Sequence, residues 1–159
     1  MMRAVSAALA RDAAPEAFAN TPWQEAASAA VSHAPYLKRL IDRRSDLADA
    51  VDAEWPERLL REALEAANAI ARDPPPLEEA MRALRRAKDA VHLAAAIADL
   101  SRAWPLMRVT GALTEFADAA VRAALALGGA ESVRRGDIEC ATADGDTGPV
   151  PGVTLIAMG

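Results

Sequence analysis

Apolar positions between Leu77 and Trp104 repeat at helical spacing, and they do so on two sides of one cylinder. Leu77, Met81, Leu84 and Val91 make one stripe, while Leu93, Ile97, Leu100 and Trp104 make a second on nearly the opposite face. Continued through all of these residues, the pattern predicts a helix roughly 40 Å long at about 1.5 Å per residue. A helix that is apolar on two faces has to be surrounded. Water is left a narrow line of Arg82, Arg85, Arg86, Asp89, His92 and Asp99 on one side of the cylinder, successive members of the first five within a turn of each other and Asp99 about two turns beyond His92. The other segments are therefore expected to pack around this one.

The same reading places those segments in order. Residues 2–11 offer a short amphipathic pattern through Val5 and Leu9, interrupted by the stretch around Pro15. Thr21 is placed as an N-cap with Pro22 at the first helical position and Gln24 returning the hydrogen bond of a capping box, which predicts a helix to about Ser32. Pro35 opens the next helix, with Tyr36, Leu37, Leu40 and Ile41 on its buried side. Arg39, Arg43 and Arg44 lie toward solvent near its C-terminal end, where cations complement the helix dipole. An anion site is conceivable there, and a plain solvated face is the reading adopted.

Glu57 to Arg72 reads as an amphipathic helix entered through Trp55 and Pro56, with Leu59, Leu60, Ala63, Leu64, Ala67, Ile70 and Ala71 on one side. Arg61 and Glu65 are spaced as a pair one turn apart. Pro74, Pro75 and Pro76 stop this helix, because three successive residues without amide protons cannot extend the ladder. After Trp104 and Pro105, Thr110 is expected to cap a helix that runs to Leu127. Its predicted apolar stripe is Leu113, Phe116, Ala117, Ala120, Val121, Ala124 and Leu125, with Thr114, Asp118 and Arg122 opposite and Gly128 and Gly129 closing it.

Beyond Gly129 the periodicity disappears into Gly, Asp, Thr and Pro, and only Val153 to Met158 reads as a buried strand before Gly159. One strand cannot pair its own backbone groups. The expectation is that its sheet lies in residues not present here. The fold class expected is thus mainly α: an antiparallel helical bundle around one long helix, then a linker and the first β-strand of a truncated domain. The corresponding division is residues 1–127, 128–152 and 153–159.

Composition sharpens this picture in a few places. Hydrophobic residues make up 52% of the 159, but aromatics only 4%, and the abundance of Ala favours close-packed helices over a sheet-rich core. The formal net charge of -5 lacks the broad basic field that non-specific nucleic-acid binding demands. A single cysteine, Cys140, excludes an internal disulfide and suits a reducing cytoplasm. No stretch has the roughly 20 apolar residues of a membrane span, so no membrane partner is expected.

Candidate chemistry is sparse. Asp144 and Asp146 form an Asp-x-Asp pair of the kind that holds magnesium, yet they sit in a glycine-rich stretch and are read as loop. An EF-hand is excluded, because Gly148 occupies a ligand position and no glutamate closes the site. His33 and His92 lack the second ligand at helical spacing that zinc requires, and His92 is read as a solvated or ion-paired residue one turn after Asp89. Cys140 has no histidine near it in sequence to activate it. On spacing alone the chain carries no assembled catalytic or metal site.

Several stretches nevertheless resemble one family. Val153-Thr-Leu-Ile-Ala-Met-Gly159 resembles the start of the catalytic module of glutamine synthetase adenylyltransferases, where a strand ending in Met-Gly leads into a glycine turn and then an Asp-x-Asp strand. Met81-Arg-Ala-Leu-Arg-Arg86 is similar to the arginine-rich helix that precedes that module. Ala112-Leu-Thr-Glu-Phe-Ala-Asp-Ala-Ala120 is similar to the family's Leu-Ser-x-Leu-Ala-Asp-Ala helix, and Ser32-His-Ala-Pro-Tyr-Leu37 to its Ser-Pro-Tyr-Leu segment. Ala87, Lys88 and His92 depart from the pattern, which tends to bulky and arginine residues there.

The resemblance implies a large cytoplasmic enzyme with two nucleotidyltransferase halves. One half removes AMP from glutamine synthetase by phosphorolysis and the other attaches it from ATP; magnesium on paired aspartates serves both, and glutamine and the PII signal protein regulate them. It carries over Gly159 as the first glycine of the nucleotide-binding turn, and it puts the metal-binding aspartates beyond the present residues, which makes this piece inactive alone. Two other readings stay open from the residues themselves: a self-contained helical interaction module, and a nucleic-acid binder using Arg82, Arg85 and Arg86.

Overall fold

The computed structural model describes residues 16–48, 50–138 and 153. The architecture is mainly helical, as the periodicity requires. Five α-helices follow one another: α1 Gln24–His33, α2 Pro35–Arg43, α3 Trp55–Arg72, α4 Leu77–Leu100 and α5 Leu106–Arg135. Single 3-10 turns at Glu16–Phe18 and Ser45–Ala48 precede α1 and follow α2. No strand occurs among the described residues. The helix expected over residues 2–11 and the strand expected over Val153–Met158, apart from the exposed Val153, fall outside them. So do Cys140, Asp144, Asp146 and Gly159.

Helix α4 packs against α1, α2, α3 and α5, and it supplies buried residues to every one of the three apolar clusters. The first cluster gathers Phe18, Trp23, the alanines of α1, Leu37, Leu40, Ile41 and Trp55 around Leu93 and Ile97. Phe18 meets Trp55 edge to face, with ring centroids 5.3 Å apart and an interplanar angle of 88°. Both indoles find acceptors for their N–H groups, Trp55 donating to the Leu47 carbonyl and Trp23 to that of Asp52, each at 2.7 Å. A buried indole N–H left without such a partner would cost about 1 to 3 kcal/mol, offsetting part of what burial of the ring contributes.

The second cluster joins Leu60, Ala63 and Ala67 of α3 to Ala87, Val91, Ala95 and Ala98 of α4 and to Trp104, Ala112, Phe116 and Ala119. The third is small: Ile70, Ala80, Ala123 and Leu127.

Two-sided burial of α4 holds, but different residues achieve it. Met81 and Leu100 are exposed, while Ala80, Ala87, Ala90, Ala94, Ala95 and Ala98 are buried. Helices approach most closely where side chains are smallest, so alanines take the contacts and the long side chains overhang at the edges. The helix also ends at Leu100 rather than Trp104. Arg102 turns the chain with a left-handed φ of 60°, and the Trp104 amide donates to the Ala98 carbonyl at 3.2 Å, folding the indole back onto the core.

Corrections at α5 have the same origin. It starts at Leu106, so Thr110 is inside it, and the Thr110 hydroxyl donates to the Leu106 carbonyl at 3.1 Å instead of capping. Its buried face is Ala112, Phe116, Ala119, Ala123, Ala126 and Leu127; of the expected stripe only Phe116 is fully buried, while Leu113, Ala117, Val121 and Ala124 face outward. With alanine on nearly every side, the large residues set the expected stripe and the small ones set the real one.

Nor do Gly128 and Gly129 end the helix. It continues to Arg135 and closes at Gly136, whose φ is 75°, with Gly136 and Asp137 amides donating back to Val133 and Ser132 in a Schellman arrangement. Glu131 paired with both Arg134 and Arg135 on the final turn helps to carry the helix past the glycines.

At α1 the expected capping box does not form: the helix begins at Gln24 rather than Pro22, and no side chain caps it, although Thr21 and Gln24 still take amides of the turn that leads in. Gln24 Oε1 accepts the Asn20 amide at 2.8 Å, and Thr21 Oγ1 accepts the Trp23 amide at 3.3 Å, while Trp23 rather than Thr21 occupies the cap position.

Candidate functional site: the arginine face of α2 and α4

The polar line on α4 meets the C-terminal half of α2, and contacts at both ends fix how they lie. Tyr36 Oη is 3.0 Å from His92 Nδ1, and Arg44 Nη1 donates to the Arg86 carbonyl at 3.2 Å. As the chain number rises along α2 it falls along α4, so the two run in opposite directions. Leu37, Leu40 and Ile41 anchor α2 to the core and leave Arg39 and Arg43 on its outer flank.

Between them lies an ion-pair network. The Arg44 guanidinium grips Asp46 through Nε to Oδ1 and Nη2 to Oδ2, both at 2.9 Å, the bidentate geometry that suits this pair best. Its Nη1 is 3.6 Å from Asp89 Oδ2, Arg43 Nη2 is 3.4 Å from the same oxygen, and Arg86 Nη2 is 3.6 Å from Asp46 Oδ2. Arg44 and Asp89 are recessed, their side chains 12% and 14% exposed. Arg43 and Arg86 project outward at 63% and 69%. Hydrogen bonds from Arg44 hold the Asp46 carboxyl below its usual range, and the same bonds raise the Arg44 guanidinium.

Tyr36 and His92 form the next layer. Burial lowers the His92 pKa first, with Lys88 adding to it and Asp89 opposing. Burial likewise raises the Tyr36 phenol, assisted by Asp89. A neutral imidazole leaves Nδ1 free to accept from the phenol. Sequence reasoning placed Tyr36 on the buried side of its helix; it is instead exposed, because the hydroxyl reaches His92 along the edge of α4. His92, expected to be solvated or ion-paired, is partly buried with this phenol as its partner.

The cavities around this face are shallow. One of about 340 Å³ is lined by Arg44, Asp46, Leu59, Ala83, Arg86 and Ala87, and one of about 360 Å³ by Tyr36, Leu37, His92, Asp99, Val109 and Leu113. No group of three or more His, Cys, Asp or Glu side chains suited to a metal occurs among the described residues. His33 lies exposed at the end of α1. The chemistry available is recognition: fixed guanidinium groups above an apolar floor. No described helix is long and apolar enough to cross a membrane.

Comparison with known proteins gives this face its context. A family model described as glutamate-ammonia ligase adenylyltransferase matches residues 24–159. A bifunctional glutamine synthetase adenylyltransferase/adenylyl-removing enzyme of Caulobacter vibrioides is 42% identical over 125 residues, covering 79% of this chain and 12% of that protein. Its namesakes from Xanthobacter autotrophicus and Ralstonia nicotianae are 44% and 38% identical over 51% and 64% of the chain and 8% and 11% of their own lengths. The chain therefore spans about an eighth or less of the curated relatives it matches. No solved structure matches. With the family match covering all five described helices, the chain belongs to the glutamate-ammonia ligase adenylyltransferase family.

Proposed function

We propose that these residues are the helical N-terminal part of an enzyme that attaches AMP to glutamine synthetase and removes it, and that they serve the adenylyl-removing half. The observation that carries this reading is the family match from residue 24 to residue 159, supported by relatives whose names include both activities. In this reading the helices are an antiparallel bundle that acts as scaffold. Val153–Met158 is the first strand of the catalytic sheet, and Gly159 is the first glycine of its nucleotide-binding turn.

Magnesium and ATP are assigned, from the resemblance, to the remainder of the longer enzyme, and no step is routed through them here. The PII protein is assigned there as a regulator, and the cytoplasm is the proposed location. Residues 1–159 alone are inactive in this reading, because the aspartates that would bind metal lie outside them.

The test compares the complete natural protein with residues 1–159. Adenylylated glutamine synthetase, magnesium and phosphate are supplied, and release of AMP as ADP is followed. Activity in the complete protein and none in residues 1–159 is the expected result. Turnover by residues 1–159 alone would overturn the division of labour, and its absence from the complete protein would overturn the assignment.

A further inference from the structure

We propose that the arginine face of α2 and α4 is a docking surface for an acidic polypeptide segment of a partner protein, one that also carries a small apolar anchor. Two rows of guanidinium groups make the face. Arg39 and Arg43 are one turn apart on α2, and Arg82, Arg85 and Arg86 occupy one side of α4 at spacings of three and four residues. Arg43 is tied to Asp89 of α4, which brings the rows together.

Two carboxylates within this face, Asp46 and Asp89, are already engaged, and Glu79 stands exposed at its edge. Asp46 is held by Arg44, and Asp89 is recessed beneath Arg43 and Arg44. Five arginines, Arg39, Arg43, Arg82, Arg85 and Arg86, therefore project outward against exposed Glu79 and half-exposed Asp46. Arg39, Arg82 and Arg85 are exposed and make no ion pair or hydrogen bond with any described residue. Glu78 and Glu79 precede Arg82 by one turn and form no ion pair with it. Like charges at this spacing on a helix repel one another. Their accumulation on one face of a chain with a formal net charge of -5 runs against its composition, and a carboxylate-bearing surface would complete it.

The floor of the face selects the class of partner. A depression of about 410 Å³ lined by Glu79, Arg82, Ala83, Arg85 and Arg86 shares Ala83 and Arg86 with the neighbouring one that reaches Ala87 and Leu59. An arginine rim around an alanine-floored trough fits carboxylates flanking a small apolar side chain, and guanidinium forks bind carboxylates in two-point geometry. A nucleic-acid strand would leave that alanine floor unused. This inference concerns a surface of the described helices and does not depend on which half of an enzyme they serve.

The experiment titrates the full 159-residue chain with a fluorescent synthetic peptide of Glu, Asp and Leu and follows anisotropy, with circular dichroism confirming the fold of each variant. The triple variant R39E/R82E/R85E removes no internal contact and is expected to weaken binding by about tenfold or more at low salt. The control R61E/R72E/R122E makes the same change of net charge elsewhere and is expected to leave binding within about twofold of the parent chain. Absence of saturable binding, equal loss in both variants, or equal or tighter binding of single-stranded oligothymidylate would each overturn the proposal.

Discussion

Arg108 holds Glu57 with two guanidinium nitrogens, Nε at 3.1 Å and Nη2 at 2.5 Å, and so fastens the first turn of α5 to the first turn of α3. The guanidinium carbon also lies 4.8 Å from the Trp104 ring centroid, a cation-π arrangement that shields one face of the pair. Both side chains remain partly exposed, so solvent weakens the attraction. A double-mutant cycle of Arg108→Ala and Glu57→Ala is expected to give a coupling of about 0.5 to 1 kcal/mol, read from urea unfolding. An effect near zero would show that the cation-π contact with Trp104 holds Arg108 without the carboxylate.

Trp55 is the largest fully buried side chain, and its ring and its N–H are both engaged. Trp55→Phe keeps most of the ring volume but leaves the Leu47 carbonyl without its donor, with an expected loss of about 1 to 3 kcal/mol. Trp55→Ala adds a cavity and is expected to cost about 3 to 5 kcal/mol, enough to unfold most of a marginally stable domain. Denaturant midpoints in the three proteins check the order.

Acid should destabilise the fold in two separable stages. His92 has a folded-state pKa below its ordinary 6.5, so the unfolded chain takes up its proton first. The stability it contributes is complete above that value and is lost as pH falls through the depressed folded value. Asp46 is likewise depressed, below 3.8, and its contribution disappears lower still. His92→Phe should flatten the upper stage and Asp46→Asn the lower one in plots of unfolding free energy against pH. If His92→Phe left the upper stage unchanged, the burial assigned to the imidazole would be wrong.

Gly128 and Gly136, near the end of α5, should respond in opposite directions. Gly128 is helical with open space where a Cβ would stand, so Gly128→Ala is expected to stabilise by about 0.5 to 1 kcal/mol. Gly136 has a left-handed φ of 75°, so Gly136→Ala is expected to destabilise by about 1 kcal/mol. Thermal unfolding of both variants locates the true end of the helix. Destabilisation by Gly128→Ala would restore the earlier end.

Proline marked much of the fold in advance. Pro35, Pro56 and Pro76 stand at or beside the starts of α2, α3 and α4, because their missing amides cost nothing in a first turn. Alanine concealed the rest. It is apolar enough to be buried and small enough to be exposed, so Ala112, Ala119 and Ala123 gave no signal that they, rather than Leu113 and Val121, face α3 and α4. The arginine line of α4 was readable from spacing alone. Its closure onto α2 was not, since Arg43 and Asp89 are 46 residues apart and only the tertiary fold brings them together.

An interior tiled with alanine also inverts the usual tolerance to change. Where leucine fills the space between helices, loss of bulk is the chief danger; here Ala98, Ala112 and Ala119 are fully enclosed, and adding even two methyl groups would wedge neighbouring rods apart. Variation in this chain should therefore accumulate as exchange among the smallest residues along its seams, with larger side chains admitted only at the rims.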